Sequence, residues 1–195
     1  MRHLMFFLVL IILVFSCKVS SISTGEKQRL RVEIDSMYQA DQSNATVKPV
    51  DSAVARYQRT IRSNFPLVKN IYEKYGYPGY DFIGRETSDQ YFLLVQHSDF
   101  EPDFQRQVLR SMKEEVFKKN ASGKSYAFLV DRVEINAGRP QIYGTQVNMS
   151  ADTKIKPCVD TANLDKRRAK VGLEPIRTYL DQCNQVFREL NPSVR

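Results

Sequence analysis

The sequence has no tryptophan, two histidines and three cysteines among its 195 residues. Neither Cys158 nor Cys183 has a cysteine or histidine at metal-ligand spacing, which argues against a zinc site. The Gly-x-Ser-x-Gly and His-Glu-x-x-His signatures of serine hydrolases and zinc proteases are absent. Gly123-Lys124-Ser125 lacks the preceding glycine that a phosphate-binding loop requires, because position 118 is Lys118. We therefore predict no metal and no cofactor.

After residue 15 the sequence also has no long apolar run. Leu4 to Phe15 is a run of 12 apolar residues, shorter than the roughly 20 that a membrane-spanning helix needs. Positive charge precedes this run and Ser16-Cys17 follows it, the pattern of an export signal. Val14-Phe15-Ser16-Cys17 resembles a bacterial lipobox, which predicts cleavage before Cys17 and acylation of its thiol. The alternatives are an ordinary cleaved signal and an uncleaved anchor, and both place the protein outside the cytoplasm.

These features divide the chain into three parts. Residues 1–16 are the predicted signal peptide, 17–25 a lipid-attached tether, and 26–195 a single α-rich domain. The composition, 42% hydrophobic and 26% charged, is that of one folded domain. In an exported protein Cys158 and Cys183 form either a disulfide or two free thiols. We expect an inner- or outer-membrane-anchored lipoprotein, on the periplasmic or outer-membrane face, whose partner is the bilayer.

The basic residues behind the formal charge of +7 have two interpretations. The lysines at 113, 118, 119 and 124 and the Lys166-Arg167-Arg168 run either meet an anionic surface or form a solvated face. Nucleic acid is an unlikely partner of an exported protein, and no basic motif interleaved with aromatics is present. We predict no nucleic-acid binding.

Helical periodicity covers most of the domain. Three helices are predicted to begin near Glu26, near Ser88 and at Pro102. Five more are predicted over Val54 to Ile61, Asn64 to Tyr75, Tyr126 to Val133, Leu164 to Val171 and Pro175 to Leu190. Gln141 to Asn148 alternates as a strand, and Lys154 to Val159 is its predicted partner. The predicted fold class is mainly α (α+β), a single helical domain with a small two-stranded antiparallel β-hairpin.

Five polar segments carry a family resemblance. They are Tyr77-Pro78-Gly79 with Gly84, Val95-Gln96-His97, Asp131-Arg132-Val133, Gly138-Arg139-Pro140-Gln141-x-Tyr143-Gly144-Thr145-Gln146 and Arg167-Arg168-Ala169. Together they resemble a bacterial domain-of-unknown-function family that is common in lipoproteins, over about residues 64–180. Tyr77 replaces the tryptophan usual in that family. The resemblance implies no activity.

His97 is the natural candidate for proton transfer, because it is the only histidine that remains after signal cleavage and histidine changes charge near neutral pH. Asp99 or Asp131 is predicted to orient it. The competing interpretation is that His97 caps the carbonyl end of its helix. Asp131 and Arg132 belong either to a structural ion-pair network or to the anion-binding wall of a site.

On a strand, Gln141, Tyr143 and Thr145 would share one face, and a bulge at Gly144 would add Gln146. The predicted site thus has His97 and Asp131 as catalytic residues, and its ligand-binding residues are Gln96, Asp99, Arg132, Gln141, Tyr143 and Gln146. Its ligand would be a glycan, a peptide or an envelope protein. The alternative function is a non-catalytic scaffold or protein-interaction module of the cell envelope.

Overall fold

The computed structural model describes residues 22–43 and 50–192, with the backbone alone at 50–52. Cys17 and the predicted signal peptide lie outside these residues. The elements, in chain order, are α1 Thr24–Ser43, α2 Val50–Tyr75, α3 Tyr80–Ile83, α4 Arg85–Gln96, α5 Pro102–Phe117, α6 Gly123–Asn136, β1 Val147–Asn148, β2 Lys154–Ile155, a 3-10 turn Thr161–Asn163, α7 Leu164–Lys170 and α8 Ile176–Leu190. The predicted mainly helical fold with a small hairpin is confirmed. None of the described helices is long and apolar enough to cross a membrane.

The core lies where α1 and α2 pack on α4 and where α5 packs on α6. Helix α1 buries Leu30, Ile34 and Met37, which recur at helical spacing. Helix α4 is central, and its Tyr91 is fully buried with the hydroxyl donating to the Val68 carbonyl at 2.9 Å. Each such apolar side chain stabilises the fold by about 1.5–3 kcal/mol on burial.

Helix α2 runs unbroken from Val50 to Tyr75, although the sequence predicts two helices there. The exposed Pro66 lies inside it. Ile61, Val68 and Ile71 form one buried stripe on both sides of the proline. Burial of this stripe outweighs the roughly 3 kcal/mol that an interior proline costs a helix, so the prediction of two helices is wrong.

The hairpin is shorter than predicted. Only Val147 with Ile155 and Asn148 with Lys154 pair as antiparallel strands. Gln141 forms an isolated parallel bridge with Cys158, and residues 141–146 form a loop. Gly144 in this loop has a φ of 68°, a left-handed conformation that interrupts a strand. The predicted strand face of Gln141, Tyr143 and Thr145 is therefore not formed.

Candidate functional site

The end of α4 and the last turn of α1 meet at a histidine–aspartate pair. His97 caps α4, and its backbone N–H donates to the Leu93 carbonyl at 3.0 Å. The imidazole Nδ1 lies 2.9 and 3.0 Å from the two carboxylate oxygens of Asp41. Asp41 is only 2% exposed, and Gln42 Nε2 also donates to it at 2.7 Å. The side chain of His97 remains 18% exposed.

The carboxylate partner of His97 is thus Asp41, and the prediction of Asp99 or Asp131 in that role is wrong. The sequence held a signal for Asp41. It follows Leu30, Ile34 and Met37 at helical spacing, so it continues the buried stripe of α1. A carboxylate on a buried stripe requires a partner of its own.

The geometry assigns the tautomer of the imidazole. A carboxylate only accepts hydrogen bonds, so Nδ1 carries the proton that points at Asp41. In the neutral ring Nε2 is then an acceptor, and no partner for it lies within the described part of the chain. The Tyr57 ring meets the imidazole edge to face at 5.6 Å. Burial, and next the nearby Asp41 charge, raises the pKa of Tyr57 to about 12, so the phenol keeps its proton.

A second polar cluster is centred on Asp99, which follows His97 by two residues. Arg132 Nε donates to the Asp99 carboxylate at 2.7 Å, and Arg132 Nη2 contacts the other oxygen. Asn136 Nδ2 donates at 2.9 Å and Gln105 Nε2 at 3.2 Å. Burial by itself would raise the pKa of Asp99, but these donors, Arg132 first, lower it below its ordinary value. The charges of Asp99 and Arg132 both act on the Tyr57 phenol, which places this cluster beside His97.

Two buried amide oxygens border these clusters. Gln105 is fully buried, and its Nε2 donates to the carbonyls of Val95 and Gln96 at 3.1 Å. Its Oε1 and that of Gln96 have no partner among the described residues. Buried acceptors are nearly always paired, so both oxygens are candidates to accept a hydrogen bond from water or from a ligand.

Asp131 belongs to a different network. Its fully buried carboxylate accepts hydrogen bonds from the backbone N–H groups of Ile142, Tyr143 and Thr145 at 2.8, 2.9 and 2.8 Å. The Thr145 hydroxyl donates as well, at 2.9 Å. These four donors use its acceptor capacity to hold the 141–146 loop. Asp131 makes no described contact with His97.

The other residues predicted in this region also hold the loop. Gln141 is fully buried and bonds the backbone of Gln146 in both directions at 2.8 Å. Arg168 donates to the Tyr143 and Glu174 carbonyls at 2.7 Å. Of the predicted site residues, the structure brings together Gln96, His97, Asp99 and Arg132. It places Asp131, Gln141, Tyr143 and Gln146 together elsewhere.

Grooves and thiols are the further candidate sites among the described residues. A groove of about 830 Å³ runs between α1 and α2, and one of about 490 Å³ lies near Tyr77 and Asn120. Neither groove is lined by a predicted site residue. Cys158 and Cys183 are free thiols. Within residues 22–43 and 50–192, no group of three histidine, cysteine or acidic side chains is arranged to hold a metal ion.

Comparison with known proteins adds one match. A family model described as a family of unknown function (DUF6624) matches residues 30–188. No curated protein and no solved structure matches the chain. The matched region is longer than the predicted 64–180 and contains Asp41 as well as His97.

Proposed function

The chain belongs to the DUF6624 family of unknown function, and we propose that it is an exported, lipid-anchored protein that binds a polar envelope ligand and transforms it by general acid–base catalysis at His97. One observation carries the catalytic part of the proposal. A buried carboxylate holds Nδ1 of a partly exposed imidazole, and Nε2 has no partner among the described residues.

Asp41 performs two tasks in this mechanism. It keeps the proton on Nδ1, so that Nε2 of the neutral ring accepts a proton from water or from a ligand hydroxyl. It also stabilises the imidazolium that forms, since the carboxylate is 2.9 Å away. The protonated ring then returns the proton to the leaving group. In this proposal His97 acts first as a general base and then as a general acid.

The surroundings favour a ligand rich in hydroxyl and amide groups. Tyr57 offers a phenolic donor beside the imidazole, and Arg132 supplies positive charge. Glycans and peptides of the cell envelope have the complementary groups. Hydrolysis, in which His97 activates water, is the reaction that needs the fewest further residues.

A non-catalytic binding or scaffold module is the second candidate. Neither of the two grooves described above is lined by His97, whereas enzymes usually enclose their substrates in a cleft. In that case the His97–Asp41 pair would join α1 to the end of α4 and act only on stability.

A pair of variants separates the two functions. Envelope glycans and peptides are first screened for a thermal shift of the wild-type protein, and turnover of those that bind is then measured. We expect Asp41→Asn and His97→Gln to lower turnover about 10²- to 10⁴-fold, the usual contribution of a general acid or base.

The matched control is Asp35→Asn. Asp35 is an exposed carboxylate on the same helix that accepts a hydrogen bond from Gln90 at 2.9 Å and does not touch His97. It should leave turnover unchanged. Ligands that bind without being converted, with equal affinity for wild type and His97→Gln, would favour the scaffold.

A further inference from the structure

The end of α5 presents an aromatic side chain to solvent. Phe117 is the last residue of α5 and is 90% exposed. Exposed lysines flank it at 113, one turn earlier, and at 118 and 119. An exposed aromatic side chain among lysines is typical of surfaces that lie in the interface of an anionic bilayer.

The start of α1 contacts the end of α2 and the neighbouring helix α3. The Glu26 carboxylate accepts hydrogen bonds from Lys74 at 2.8 Å and from the Tyr75 hydroxyl at 2.6 Å. Lys27 lies over the Phe82 ring, 5.3 Å from its centroid. The Tyr75 and Phe82 rings are 5.4 Å apart. The first turn of α1 therefore packs on the end of α2 and on α3.

The segment that follows α5 is hydrogen-bonded to α3, the helix that the start of α1 also contacts. The Asn120 backbone carbonyl accepts a hydrogen bond from the Tyr80 N–H at 2.9 Å, and the Asn120 side-chain oxygen accepts one from Asp81 N–H at the same distance. Phe117 stands three residues before Asn120. It therefore lies at the same pole of the molecule as the start of α1.

Chain length places this pole near the bilayer if Cys17 is lipidated. Thr24 is seven positions after Cys17, a distance of at most about 25 Å when the chain is fully extended. Asp41 is 15 residues after Glu26 in the same helix, about 22 Å farther along its axis. If the anchor forms, the start of α1 is held within about 25 Å of the lipid, and the Phe117 pole is then the end of the domain nearer to the membrane.

We propose that Phe117, with Lys113, Lys118 and Lys119, forms a membrane-contact patch that enters the headgroup interface of an anionic bilayer. The inference depends on the lipid anchor of the proposed function. Lys118 also pairs with Glu115 at 2.9 Å, and Glu114 is exposed nearby. Insertion of the Phe117 ring therefore contributes more to membrane binding than the charge of the patch does. Contact between the patch and the bilayer sets the orientation in which His97 meets its ligand.

The absence of tryptophan makes a clean test possible. Phe117→Trp introduces a single tryptophan at a fully exposed position into the full-length lipidated protein. The protein is reconstituted in vesicles of phosphatidylethanolamine and phosphatidylglycerol, with or without brominated acyl chains. The control is Val54→Trp, because Val54 is 54% exposed and lies one turn before Tyr57 at the His97 pole.

The expected result is that the emission of the Phe117→Trp protein shifts to shorter wavelength on reconstitution and is quenched by brominated lipid. The Val54→Trp emission should change in neither respect. Vesicle-bound, lipidated protein whose Phe117→Trp emission is not quenched would overturn the patch and leave the anchor intact. Protein that carries no lipid and stays free of vesicles would overturn the anchor and the patch together.

Discussion

Two buried carboxylates have opposite surroundings in this protein. Asp131 accepts four hydrogen bonds from the 141–146 loop and has no acceptor capacity left for chemistry. Asp41 instead faces one imidazole nitrogen and the Gln42 amide. The first arrangement fixes a loop, whereas the second orients an imidazole whose Nε2 has no partner among the described residues. Burial of a carboxylate is therefore not itself a sign of catalysis, and its donors decide its role.

Replacement of Asp131 tests the structural role. In Asp131→Asn an amide N–H₂ faces a backbone N–H donor, so one buried donor loses its acceptor. We expect the free energy of unfolding to fall by about 2–4 kcal/mol, as charge-assisted hydrogen bonds are lost. Urea denaturation measures it, with Asp152→Asn as control, because Asp152 has an 82% exposed side chain. A change as small as that of the control would argue against this role.

Helices α4 and α6 are joined at their ends by the Asp99 cluster. Asp99 follows α4, whereas Arg132 and Asn136 lie on the last two turns of α6. The three side chains close the face on which His97 lies. Because hydrogen bonds and Arg132 outweigh the effect of burial, the pKa of Asp99 is lower in the folded chain than its usual 3.8. The ionised carboxylate therefore stabilises the native state.

The sign of this shift predicts a pH dependence. A carboxyl group with a lowered folded pKa stabilises the fold above its unfolded pKa, and this contribution disappears as pH falls through the folded pKa. The stability of the wild-type protein should fall more steeply than that of Asp99→Asn as the pH falls below about 4. Denaturation at a series of pH values measures this difference. The control Asp103→Asn, which alters an 84% exposed side chain, should follow the wild type; equal slopes for all three would refute the assignment.

On the scale of the whole molecule, the proposed anchor would make function depend on which pole faces the membrane. Helix α1 begins at the pole of the proposed membrane-contact patch and carries Asp41 in its last turn. A tether attached to its first turn would present the His97 face to the space beyond the bilayer. An anchored protein would in this way meet ligands of the cell envelope at a fixed distance from the lipid.

The anchor itself is tested at Cys17. Acylation with more than one chain gives stable membrane attachment, so Cys17→Ser should release the protein or leave it unprocessed. Membrane fractionation and the mass of the mature chain report this outcome. The matched control is Cys158→Ser, which removes a thiol of the folded domain and should not alter fractionation. Membrane attachment and processing of Cys17→Ser as in wild type would rule out the lipobox.

Local patterns in the sequence predict much of this fold. Apolar spacing and end signals predict α1, α4, α5, α7 and α8, since these depend on residues within a few turns. The family of unknown function is also predicted from short segments. Periodicity fails at Pro66, because the continuous buried stripe that keeps α2 intact is set by packing against other helices.

The sequence by itself determined the helical class, the small hairpin and His97 as the candidate proton carrier. The tertiary structure decided which carboxylate reaches His97. Asp41 is 56 residues away in the chain, and only the packing of α1 on α4 brings the two together. It likewise converted the 141–146 segment from a predicted strand into a loop, because Asp131 binds three of its backbone N–H groups. Local spacing encodes helices, whereas buried polar groups select partners that only the folded chain brings near.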